Sequence, residues 1–339
     1  MSAVLAIVGA LSIDSIVAQD GRHVLGKVGG NAVWSSLGAT ISGNAPRILS
    51  MVGTDYPAHV LETLSAAGVD TTAVVQLERE HPVRVTFAHL PDGGRIQPVP
   101  TEMIAGLPAA AQAEFIDTTK TPEILRLGSP EGHDIPESWL DEVDFWHLPL
   151  LPLVRHRSVV ERLARARGRL HTDCPARSDL IGDPFGRLSP TLPSITVFLP
   201  STSDFDVIAP DQSTSDSVAE LRAAGSRELI VKAGGSGSFV LDGDSVWHVP
   251  AFSDLPIDPT GAGDTFCGGF LVGMASTGDL VEAAALGSAA ASFAVATENP
   301  LTLIDIEPER TLARARSILG KTTRLSGSID DYERAVFSC

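Results

Sequence analysis

The chain has 339 residues, a formal net charge of −17, 43% hydrophobic and 20% charged residues. These proportions are ordinary for a globular protein, and no apolar run reaches the length that spans a bilayer, so a membrane protein is excluded. The acidic balance argues against nucleic acid as a main partner, because a phosphate backbone demands a broad basic footprint; a local anion site is still allowed.

In chain order, Ala3 to Val8 is a short apolar run that flows into a Gly-containing turn and predicts a buried first strand. No basic leader precedes it. Leu11 to Val28 reads as extended ribbon with turns, and Ala32 to Thr40 as a helix. A strand at Ile48 to Val52 and a helix at Tyr56 to Ala67 follow. Pro82 to Val99 is a second ribbon, with Val83, Val85 and Phe87 alternating as on a half-exposed sheet and a turn at Pro91-Asp92-Gly93-Gly94. The ribbons at about 11–28 and 82–99 predict a small β-lid, and an uncovered apolar face on it predicts a homodimer paired through the lid. Pro100 to Pro136 mixes polar, Pro and Gly signals with no period that assigns it.

Strands at Phe145 to His147, Leu170 to Thr172, Ile195 to Leu199 and Glu228 to Lys232 then alternate with helices at Ser158 to Ala166, Ser215 to Ala224, Gly263 to Ser276 and Leu280 to Ala296. The arginines between Arg155 and Arg169 interleave with Val159, Val160 and Leu163 at helical spacing, as on the solvated face of an amphipathic helix. Lys321 to Cys339 reads either as a short packed helix or as a mobile tail. Strand and helix alternating over this length predict an α/β fold with a mostly parallel sheet, helices on both faces, and ligands beyond the carboxyl ends of the strands. Cys174, Cys267 and Cys339 have no metal-ligand or redox spacing, which suits a reducing compartment and makes cytoplasmic the expected location.

The chemistry concentrates in Asp258-Pro259-Thr260-Gly261-Ala262-Gly263-Asp264, followed by an apolar helical pattern. Small residues at Gly261, Ala262 and Gly263 let an anion approach their N–H groups, and the positive end of the following helix points at the same spot. Asp264 falls in the first turn, where a base could take a proton from an attacking hydroxyl. Phosphoryl transfer needs both parts: donors around the transferred oxygens and a positioned base. The alternative is an ordinary tight turn with an Asp favoured by the helix dipole.

Other phosphate motifs fail. Gly21 to Lys27 fits a P-loop up to position eight, where Val28 replaces the metal-holding Ser or Thr and Gly29-Gly30 prevents a helix from starting. Ala315 to Thr322 ends in Gly320-Lys321-Thr322 but follows a helical pattern, which makes Gly320 a helix C-cap. A dinucleotide fold needs three spaced glycines after the first strand, and only Gly9 is there. The nine histidines show no zinc spacing.

Asp258 to Asp264 resembles the C-terminal signature of the ribokinase-like (PfkB) carbohydrate kinases. The likeness extends through Val8-Gly9-Ala10 with Asp14, Gly29-Gly30-Asn31, Val52-Gly53-Thr54-Asp55, Gly68-Val69-Asp70-Thr71, His147-Leu148-Pro149 and Val231 to Gly237, in the family's order. The resemblance implies a single domain over 1–339, a three-layer αβα sandwich with a β-lid, and transfer of a phosphoryl group from Mg-ATP to a hydroxyl of a sugar or related small molecule. It implies Asp264 as the base and the N–H groups of Gly261, Ala262 and Gly263 as the anion hole. Asp14, Gly29, Gly30 and Asn31 match substrate-binding positions, while Gly234 and Gly237 match the turn beside the nucleotide phosphates. Lys232 lies close enough to be a phosphate contact, or is a strand-end residue with its charge in solvent. Asp258 and Thr260 match positions that in many members help hold a potassium ion.

Two departures stand out. Asn31 follows the paired glycines at once, with Trp34 and Ser35 in the next turn, where the family usually has an Asn several residues on. Pro200-Ser201-Thr202-Ser203-Asp204 replaces the usual Pro-Asn-Glu-x-Glu, so only Asp204 keeps a carboxylate for the magnesium network. A nucleoside kinase, which would use Trp34 or Phe87 for stacking, and a non-catalytic ligand-binding protein of the same fold stay open as alternatives.

Overall fold

The computed structural model describes residues 2–90, 95–252 and 257–331. The turn read at Pro91 to Gly94 and Cys339 lie outside the described residues. The strands are β1 (Leu5–Val8), β2 (Ser12–Val17), β3 (His23–Gly29), β4 (Arg47–Leu49), β5 (Met51–Val52), β6 (Val75–Gln76), β7 (Arg84–His89) and β8 (Arg95–Ile96). They continue as β9 (Phe145–Leu148), β10 (Arg169–Asp173), β11 (Val197–Leu199), β12 (Glu228–Lys232), β13 (Ser238–Asp242), β14 (Ser245–Val249) and β15 (Thr323–Arg324).

Nine of them form the main sheet in the order β15-β14-β13-β12-β11-β10-β9-β1-β4. The six from β12 to β4 are parallel, and β13 to β15 extend that sheet in antiparallel fashion. Burial follows the strand period of two. Leu5 and Ile7 belong to one apolar cluster, with the helices Asn31–Thr40, Ala262–Thr277 and Leu280–Ala294. Ala6 and Val8 belong to the other, with the helix Leu153–Leu163. A strand covered on both faces must be apolar at every position, and β1 is. The result is a ribokinase-like α/β fold of three layers.

The sheet falls close to its predicted places, with three differences, while the helix expected at Ser158 to Ala166 runs over Leu153–Leu163 and a helix at Thr202–Ile208 had no predicted counterpart. The strand read at Ile48 to Val52 divides, because β4 joins the main sheet while β5 pairs with β6 in a separate ribbon. The β13–β14 hairpin has no predicted counterpart; its signal was Asp242-Gly243 between two β-rich runs. Thr323 and Arg324, read as helix or tail, instead pair with β14. The arginine-rich helix does turn its charges outward: Arg155 pairs with Glu131 and Arg162 with Glu137, while Val159, Val160 and Leu163 are buried. Gly320 caps the helix Pro308–Leu319. No helix among the described residues is long and apolar enough to cross a membrane.

The lid is a four-stranded sheet in the order β3-β2-β7-β8. Its alternate residues separate two faces. Val17 and Ala88 point outward and pack with Val99, Ile104, Leu107 and Phe115 in a small apolar cluster of their own. Two short helices, Thr101–Ile104 and Ala109–Gln112, supply that cover. Asp117 accepts the Thr86 N–H at 2.9 Å, and the Thr118 N–H donates to Arg84 O at 2.9 Å. This is the use of the unassigned stretch after Pro100: it covers the lid face that carries Val17 and Ala88.

Candidate active site

The helix Ala262–Thr277 begins at Gly261, whose φ of +76° places it in the left-handed region that favours glycine. The Trp34 indole fills the space where a Cβ on residue 261 would stand. No side chain caps this N-terminus, although the Ala262 N–H already donates to Pro259 O at 3.2 Å. Thr265 is already tied, its N–H donating to Gly261 O at 2.8 Å.

Asp264 is half-buried at this helix start. Burial and then the Asp173 carboxylate push its pKa up from 3.8 to about 7, with Lys232 pulling it back. Lys232 ends β12, and its ammonium lies 2.8 Å from both carboxylate oxygens of Asp173, at the end of β10, and 3.6 Å from Cys267 Sγ. Burial works against that ammonium, but Asp173 overrides it and holds the lysine charged. Neither expected place for Lys232 therefore describes it fully: its charge is not in solvent, and it is already engaged by a carboxylate. A Cβ on Gly263 would stand 3.7 Å from Lys232 Nζ, so the ammonium borders the loop of Gly261 to Gly263.

Gly234 and Gly237 flank the turn after β12, and the positions where Gly234 and Gly235 would carry side chains are open space. Asp204 sits in the first turn of the helix Thr202–Ile208 and is spent locally. One oxygen accepts from Arg177 Nε at 2.6 Å, and the other accepts from the Ser201 N–H and hydroxyl, both at 2.7 Å.

Across from this strand end, the inner face of the lid carries Asp14. Its carboxylate accepts the Ser12 hydroxyl at 2.6 Å and lies directly against Gly29, where any side chain would collide with it. Burial raises its pKa to about 6, against the lowering pull of Ser12, Lys27 and Arg95. Gly30 caps the helix Asn31–Thr40. The Asn31 amide is committed to the fold, accepting the Ala10 N–H at 2.9 Å and donating to Leu150 O at 2.7 Å. These bonds orient the amide and use one of its two N–H groups and one lone pair of its oxygen.

Asp258 is buried, and one oxygen accepts the Thr260 N–H at 2.8 Å. Lys27 Nζ stands 3.7 Å from its other oxygen and His89 Nε2 3.5 Å from the first. A cavity of about 800 Å³ opens here between lid and loop, lined by Ile16, Lys27, Val28, His89, Asp258 and Pro259 among others. That volume suits a small-molecule site.

Asp173, Lys27, Arg177 and His89 were not singled out from the sequence. Asp173 had a usable signal, a carboxylate just past the strand read at Leu170 to Thr172, where parallel sheets place ligands. So did His89, which continues the alternation of Val85 and Phe87 onto the inner face.

Comparison with known proteins agrees with this architecture. A family model described as pfkB family carbohydrate kinase matches residues 3–306. The cytidine kinase of Thermococcus kodakarensis is 27% identical over 292 residues, covering 84% of this chain and 92% of that protein. The ribokinase of Bacillus subtilis is 23% identical over 303 residues, covering 86% and 92%. Among solved structures, a putative ribokinase II from Escherichia coli in complex with ATP and Mg2+ matches with a TM-score of 0.70 at 18% identity, covering 94% of this chain and 100% of that one. The chain belongs to the pfkB family of carbohydrate kinases, phosphotransferases whose acceptor is an alcohol group.

Proposed function

We propose that the chain transfers the γ-phosphoryl group of ATP to a hydroxyl of a sugar or related polyhydroxy molecule, with Asp264 as general base and the N–H groups of Gly261, Ala262 and Gly263 as anion hole. The observation that carries this is the uncapped helix start with a carboxyl of pKa about 7 in its first turn. A base poised there is ionised often enough to act, and basic enough to accept a hydroxyl proton as the oxygen attacks phosphorus. The loop donors face the oxygens where charge builds, so their orientation costs nothing at the moment of transfer. Asp14 and its neighbours on the lid hold the acceptor.

Mg-ATP fits the residues present. The open turn at Gly234 and Gly235 leaves room for a polyphosphate, and Lys232 brings a fixed cation beside the anion loop. Bound magnesium neutralises phosphate charge and takes most of its ligands from phosphate and water, so it needs only one or two carboxylates. Asp173 and Asp204 are the carboxylates at the strand ends, each already paired with a basic side chain. A potassium ion at Asp258 and Thr260 does not fit in the same way, because Lys27 already faces that carboxylate.

A nucleoside acceptor is the second reading, favoured by the similarity to a cytidine kinase. The aromatic residues favour the sugar reading. Trp34 is buried against Gly261, and Phe87 is buried with Arg95 over its ring at 4.9 Å. Neither has a ring face free for a base. The test is acceptor-dependent ADP formation from Mg-ATP across sugars, sugar acids, polyols and nucleosides. Turnover with nucleosides alone overturns the sugar reading, and ADP formation with none of them returns the chain to the binding-protein alternative.

A further inference from the structure

Asp258 is 3% exposed, and a buried carboxylate without a partner charge is costly. Its position gives that charge a structural role, since by accepting the Thr260 N–H it shapes the turn that delivers Gly261. The compensating charge comes from the lid. Lys27, with its side chain 9% exposed, brings its ammonium within 3.7 Å of Asp258, and Asp258 is its ion-pair partner among the described residues. On the lid, Lys27 is the register partner of Asp14 on β2. His89, also on the inner face, closes the other side of the carboxylate at 3.5 Å. A monovalent metal ion at Asp258 would meet the lysine charge at close range, where like charges in a partly screened site repel.

We propose that Lys27 is the resident cation of the anion loop, standing where a monovalent metal ion would otherwise compensate Asp258, and that it makes the set of that loop depend on the position of the lid. Because Lys27 lies beside Asp14, a lid drawn down on its acceptor brings the ammonium to Asp258, and a raised lid withdraws it. The loop then holds its transfer geometry when an acceptor is in place and relaxes when water is the only nucleophile. Lys27 is thus a positioning residue, and its role rests on reading Gly261 to Gly263 as the anion hole.

The test compares wild type, Lys27→Met and Lys27→Arg in potassium, sodium and tetramethylammonium chloride at equal ionic strength. Acceptor-dependent turnover and the melting temperature are both measured. Wild type is expected to show the same kcat and the same melting temperature in all three salts. Lys27→Met is expected to lose on the order of 10²-fold in kcat, the scale of one anion-hole donor, with the KM for ATP little changed. It is also expected to lose the suppression of acceptor-free ATP hydrolysis relative to transfer. Lys27→Arg keeps the cation and recovers most of kcat. Potassium-specific activation or stabilisation of wild type overturns the proposal, whether or not the variants fold. So does an unchanged kcat in a folded Lys27→Met. Gly261→Ala separates the two levels: if it too turns over normally, the anion-hole reading has failed, whereas a crippled Gly261→Ala beside a normal Lys27→Met means that only the lysine's role has.

Discussion

The Trp34 indole and Gly261 are mutually required: the ring occupies the volume that any side chain at 261 would need, and the glycine's left-handed backbone presents the turn to the ring. Trp34 occupies the turn where the sequence departs from the family, and the departure has a physical meaning. The large buried ring lies directly against Gly261 and belongs to the core cluster that includes Phe266 and Phe270 of the helix Ala262–Thr277.

Trp34→Ala is therefore expected to act twice. Loss of a buried tryptophan costs about 3–5 kcal/mol through the cavity it leaves, which calorimetry or denaturant melts will show. Turnover should fall further than the fraction unfolded explains, because the loop loses its support. Trp34→Phe should restore stability more fully than turnover. If kcat tracks the folded fraction alone in both variants, the ring is core and nothing more.

Asp264→Asn is expected to retain ATP binding and lose roughly 10²-fold or more in kcat, the magnitude of a missing general base. In wild type, kcat/KM should climb as pH rises through about 7, where the carboxyl ionises. Stability moves the other way. The folded pKa lies above the unfolded value of 3.8, so between those values the native state keeps a proton that the unfolded chain releases, and stability falls with rising pH across that window. Asn removes that penalty. The variant should melt higher than wild type above about pH 8, with the gap closing toward pH 4; a gap that widens on acidification contradicts the assignment.

Asp173 raises the Asp264 pKa and holds Lys232 by both oxygens. Asp173→Asn removes the negative charge and leaves the lysine's positive charge uncancelled, and both changes lower the Asp264 pKa. The acid limb of kcat/KM should shift to lower pH while the fold weakens by about 3–5 kcal/mol, as for a broken buried pair. A limb that stays at about pH 7 means that Asp173 does not sense the base.

The parallel sheet was legible because its strands are buried on both faces and its helices carry strong apolar patterns; Glu228–Lys232 is the same span in sequence and structure. The helix start at Gly261 was legible for a local reason, since backbone geometry and small residues are written in consecutive positions. Asp173 and Lys232 form a pair across 59 residues, and nothing in either neighbourhood signals the other. The partners of Asn31 were hidden for the same reason: its amide is used by Ala10 and Leu150, the second of them 119 residues away. The stretch after Pro100 had no period because its helices are pieces of four to six residues, too short to show one.

That cover makes the last prediction. The outer lid cluster of Val17, Ala88, Val99 and Ile104 is separate from the two clusters that pack the main sheet. Ile104→Asp places a charge in it at a cost of a few kcal/mol, which local opening of the lid can relieve without unfolding the sheet. The main melting transition should therefore move little, while the KM for the acceptor rises and the KM for ATP holds, because Asp14 lies on the loosened element and Lys232 does not. Hydrogen exchange should quicken across β2 and β7 and stay slow in β1 and β10. A global loss of stability with both KM values unchanged would mean that the cover is part of the main core, and that lid and sheet open together.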